Sequence, residues 1–95
     1  MAQTTILAAA QTAGTSTDIT LAENNTCTVG IFATGEVPPL ARFSVREDTP
    51  GTDNFVIHLH AQNMSTVLAG PGVFRVYRPD ISAYGVDVGV YKTED

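Results

Sequence analysis

The sequence predicts an all-β domain, a small antiparallel β-sandwich (jelly-roll or Ig-like) of about eight short strands. Three observations carry this reading. Near the C-terminus Val86, Val88 and Val90 alternate with Asp87 and Gly89, the period of a half-buried strand. Turn-forming residues recur along the chain at short intervals and bound apolar segments too brief for helices. No segment keeps a helical period: Ala8-Ala9-Ala10 is followed by Thr12-Ala13-Gly14-Thr15-Ser16, where β-branched residues and glycine both oppose a helix.

The expected strands are Thr4–Ala10, Asp18–Ala22, Thr26–Ala33, Leu40–Arg46, Phe55–Ala61, Ser65–Ala69, Val73–Arg78 and Val86–Tyr91. Between them lie Ala13 to Ser16, Glu23-Asn24-Asn25, Gly35 to Pro39, Asp48 to Asp53, Gln62-Asn63, Gly70-Pro71-Gly72 and Pro79-Asp80, all rich in residues that break extended structure. Gly35-Glu36-Val37-Pro38-Pro39 is stiff, because two prolines fix φ and remove two donors. It reads as a sharp crossover between strands, or as a rigid projection toward a neighbour.

Alternation also assigns a core. Ile19 with Leu21, Val29 with Ile31, Phe43 with Val45, the set Phe55, Ile57 and Leu59, Phe74 with Val76, and the three valines above each share a face. Two such inner faces fill the space of about 10 Å between packed sheets. Cys27 falls in step with Val29, Ile31 and Ala33 and is expected to be a buried, inert thiol. As the lone cysteine it forms no intrachain disulfide.

Ninety-five residues make one domain. Within it, residues 1–16 read as an extended arm or edge strand and residues 17–95 as the sandwich. Charged residues are 16% of the chain, against about 25% in an average soluble protein. A surface so poor in charge is weakly protected against association, and self-association as a dimer or trimer is expected. The net charge of −5 and the single lysine, Lys92, argue against nucleic acid, which needs clustered cations. The start of the chain, MAQTTILAAAQT, has neither the basic region of a signal peptide nor the length of a membrane anchor, so no membrane partner is expected.

Catalytic chemistry has no signature here. No serine stands in a nucleophile elbow, no glycine-rich loop cradles phosphate, and the carboxylates are scattered. The expectation is a protein with no catalytic residues, no cofactor and no metal. His58 and His60 are the sharpest candidates for a metal, since residues two apart on a strand share a face, but no third or fourth ligand is in view. They read better as exposed or interface histidines. Arg75 and Tyr77 point outward opposite Phe74 and Val76, and Arg78 precedes the strand-ending Pro79. Arginine and tyrosine are enriched where interfaces draw most of their energy, so these three are the leading interface candidates. Arg42, Ser44 and Arg46 form a second outward row. Thr4 and Ile6, in the N-terminal segment, are a further expected contact, adding as a strand to a neighbour.

Several segments together resemble small phage-encoded structural proteins: Val29-Gly30-Ile31-Phe32, the turn Asp48-Thr49-Pro50-Gly51, the stretch from Gly70 to Pro79, and the closing strand from Gly85 to Val90. The resemblance covers most of the chain, though each motif is a turn-plus-strand pattern. It implies a bacteriophage capsid decoration, or cement, protein, with the major capsid protein as partner and the capsid exterior as location after synthesis in the host cytoplasm. It assigns no individual functional residue. Alternatives from the same residues are a phage tail or fibre component, or a small carbohydrate-binding module. The absence of tryptophan counts against the last.

Overall fold

Alternating side chains carry the chain through nine strands in the computed structural model, which describes residues 3–49 and 52–94. They are β1 (Gln3–Ala10), β2 (Gly14–Thr15), β3 (Ile19–Leu21), β4 (Thr26–Ala33), β5 (Phe43–Thr49), β6 (Thr52–Leu59), β7 (Ser65–Ala69), β8 (Gly72–Arg78) and β9 (Val88–Glu94). A 3-10 turn, Ser82–Tyr84, precedes β9. The Asp80 carboxylate accepts the Ser82 N–H at 2.9 Å, and that bond holds its pKa below the usual aspartate range. Pro50 and Gly51, at the centre of the expected turn from Asp48 to Asp53, lie outside the described residues, as do Met1, Ala2 and Asp95.

The strands form two antiparallel sheets packed face to face. One has the order β1-β9-β4-β7; the other runs β2-β8-β5-β6, with β3 beside β2 on the same edge of β8. Nearly every connection passes from one sheet to the other; β5 and β6 are the one pair of neighbours in sequence that also pair in a sheet. The core lies between the sheets and is built largely of the residues that alternation selects: Ile19, Leu21, Cys27, Val29, Ile31, Phe43, Val45, Leu59, Phe74, Val76, Val88 and Val90 are all buried. Val37, Ala41 and Ile81, from crossover loops, close one end of the sandwich.

The structure differs from the sequence expectation at several points, each with a local cause. β2 replaces part of an expected turn, because Gly14 and Thr15 pair with Arg78 and Tyr77 of β8. β5 begins at Phe43 rather than Leu40. The proline loop continues as a turn in which the Ala41 N–H reaches the Pro38 carbonyl at 3.2 Å, leaving Leu40 exposed. Val86 stays in the loop before β9, only partly buried against the core.

Phe55 is the clearest correction. Assigned to the core with Ile57 and Leu59, it is 53% exposed. Val45 pairs with Ile57, but Arg46 pairs with Phe55, so Val56 is the extra residue of a β-bulge. One inserted residue reverses the facing of everything before it.

Within residues 3–16, β1 and β2 lie at the edges of the two sheets. β1 pairs with β9, Ile6 is buried, and Ser16 is bonded twice to Val76, through its N–H at 2.8 Å and through its hydroxyl at 2.9 Å.

Candidate functional site

Two rows of outward residues, read separately from the sequence, come together on the outer face of the β8-β5-β6 layer. Ser44 of β5 stands between Tyr77 of β8 and His58 of β6, and Arg46 stands between Arg75 and Phe55. This register opposes two guanidinium groups, Arg46 and Arg75, an arrangement that is unfavourable unless the charges find other partners. Both do. Arg75 turns to the carboxylates of Asp18, 3.0 Å away, and Asp48, at 3.4 Å. Arg46 lies over the Tyr77 ring with its guanidinium carbon 5.2 Å from the centroid, within the range of a cation–π contact. On the neighbouring strand Phe55 and His58 stack at 4.5 Å, tilted by 56°.

The face is therefore held in a defined arrangement before any partner arrives. Its Arg75 side chain is only 18% exposed, so the order in it comes from packing as well as charge. It offers cations, rings and hydrogen-bonding groups along three neighbouring strands. That suits a broad contact better than the enclosure of a small molecule.

The other candidates fall elsewhere. Arg78 is not on this face. It follows Phe74 and Val76 in alternation and is buried, with Nε bonded to the Thr12 carbonyl at 2.6 Å and Nη1 to the carbonyls of Ala8 and Val88 at 2.7 and 2.9 Å. Burial lowers its pKa from the ordinary arginine value, and Asp87 partly opposes this. Its placement at an interface gives way to a structural one. On β8 it falls on the inner face with Phe74 and Val76, where three backbone carbonyls accept from it.

Arg42 is exposed just before β5 and donates to the Pro39 carbonyl at 3.2 Å, so it belongs to the proline loop. Thr4 is exposed on β1 and Ile6 is part of the core, both in the opposite sheet. His60 lies beyond the end of β6 in a turn, where its Nδ1 accepts the Gln62 N–H at 3.2 Å, so it does not continue the row of His58. Among the described residues no group of three or more His, Cys, Asp or Glu is placed to hold a metal ion. Phe55 was missed as a surface residue because nothing in its own segment marks the bulge.

A shallow groove of about 260 Å³ lies at one end of the sandwich, lined by Glu36, Val37, Pro38, Pro39, Tyr84 and Val86. It brings the proline loop against the 3-10 turn and has no cluster of ionisable groups. No family model, curated protein or solved structure matches the chain.

Proposed function

We propose that this chain is a non-enzymatic virion structural protein that binds and stabilises a phage capsid from the outside, in contact with the major capsid protein. The observation that carries the proposal is the pre-ordered face of Arg46, Arg75, Tyr77, Phe55 and His58 on a rigid two-sheet scaffold. Side chains already fixed in place lose little conformational entropy on docking, and Arg with aromatic residues is the composition of interface hot spots. The resemblance of the turn-plus-strand segments to small phage structural proteins supplies the kind of partner. A sugar-binding platform fits this face less well, since the Arg46 guanidinium occupies one face of Tyr77.

The test is co-sedimentation of the purified protein with capsids that lack it, using wild type and an Arg75→Ala/Tyr77→Ala variant whose melting transition is recorded in parallel. Binding by wild type and at least roughly tenfold weaker binding by a folded variant, the loss of one hot-spot residue or more, is the expected result. Equal binding by both removes the face from the proposal. No binding by wild type removes the capsid.

A further inference from the structure

The two outer faces of the sandwich differ in charge. In β1, β4, β7 and β9 the only ionised side chains are Lys92 and Glu94, paired with each other at 2.9 Å. Both fall in step with Val88 and Val90, on the inner side of β9, and Glu94 sits beside Thr20 and Leu21 of the opposite sheet. The outer side of this sheet is left with Thr5, Thr28, Phe32, Val67, Tyr91 and Thr93. Among the described strand residues none on this side is ionised. Phe32 and Tyr91 pack ring to ring at 6.4 Å, and Val67 is 63% exposed. The opposite outer face, by contrast, carries Arg46, Arg75 and Asp48 with Asp18 at its margin.

We infer that the outer face of the β1-β9-β4-β7 sheet is the contact between two copies of this chain, packed face to face about a twofold axis. The occupant follows from charge. Each copy carries a net charge of −5, so random approaches of two copies are repulsive. A charged partner surface laid on this face would lose its hydration and find no counter-charge. The matching surface is another uncharged one, and this face supplies it to itself, as a twofold contact requires.

Size is sufficient as well. Four strands spaced about 4.8 Å apart and about 25 Å long offer a footprint near 500 Å² per copy. Two copies together bury about 1,000 Å², the least that a specific interface requires, so a weak, concentration-dependent dimer is expected. Packing there leaves the arginine–tyrosine face free on both outer surfaces of the dimer.

Sedimentation velocity on the free protein over about 1–200 µM, a range spanning a micromolar dissociation constant, tests this. Wild type is expected to pass from monomer to dimer. A Thr28→Lys/Val67→Lys variant places unpaired charge in the contact and should bind itself at least about 100-fold more weakly. A Ser44→Lys variant, on the opposite face, should dimerise as wild type does. Should the double variant lose its cooperative melt, Val67→Thr replaces it and is expected to weaken the dimer measurably. A monomer at every concentration, a trimer or larger ring, or dissociation by Ser44→Lys with the Val67 variants unaffected would each overturn the inference. The measurement needs no capsid, so its failure and the failure of capsid binding are separate results.

Discussion

Arg78 reaches across the sandwich to Val88: its Nη1 donates to the Val88 carbonyl at 2.9 Å. The same nitrogen bonds the Ala8 carbonyl, and Nε bonds that of Thr12. One cation on β8 thus ties its own sheet to β9 and β1 of the other. Gly14 leaves it room, since a Cβ there would lie 3.3 Å from the guanidinium. A buried charge is costly unless it is hydrogen-bonded, and these carbonyls satisfy the Nε and Nη1 donors.

Arg78→Met is expected to lower stability by about 2–4 kcal/mol, because it removes three hydrogen bonds made by a charged group. For a domain of this size that is a fall in melting temperature of more than about 10 °C. Arg78→Lys should recover less than half of it, since one ammonium does not span three acceptors in a fork. Thermal melts of the two variants decide this; a Met variant within a few degrees of wild type would contradict it.

Gly30 and Gly89 give a contrast between two glycines in one sheet. Each lies under an aromatic ring: a Cβ at Gly30 would meet the Tyr91 hydroxyl at 2.5 Å, and one at Gly89 would meet the Phe32 ring at 2.5 Å. Only Gly89 is also confined by backbone, with the Leu7 carbonyl oxygen at 2.8 Å. A ring can swing away, whereas a paired strand cannot. Gly89→Ala should therefore cost about 1–3 kcal/mol, the range of overpacking, and Gly30→Ala clearly less. Denaturant titrations that rank them in the opposite order would refute the backbone constraint.

Phe43 and Phe55 are expected to respond differently to the same substitution. Phe43→Ala empties a fully buried site and should cost about 3–5 kcal/mol. Phe55→Ala removes an exposed ring that stacks on His58 and should cost less than about 1 kcal/mol. Comparable losses would mean that Phe55 faces the core and that no bulge stands at Val56.

The two candidate rows show how far a site can be read from sequence. Arg75 with Tyr77, and Ser44 with Arg46, were each legible as outward pairs because each lies opposite buried neighbours on one strand. Their convergence was not legible, because β5 and β8 pair across two intervening strands and a passage through the other sheet. Arg78 shows the converse. It was expected at an interface with Arg75 and Tyr77, and the carbonyls that hold it inside come from 10 to 70 residues away in sequence.

The all-β class, most strand positions and most of the core, including the buried thiol of Cys27, were legible in the chain's pattern. These depend on side-chain alternation and turn chemistry, which act within a few residues. The strand order, the bulge that turns Phe55 outward, the burial of Arg78 and the difference in charge between the two outer faces came from the assembled fold. Pairing joins segments far apart in the chain, and its register is set by how whole faces fit, a property that no single strand carries.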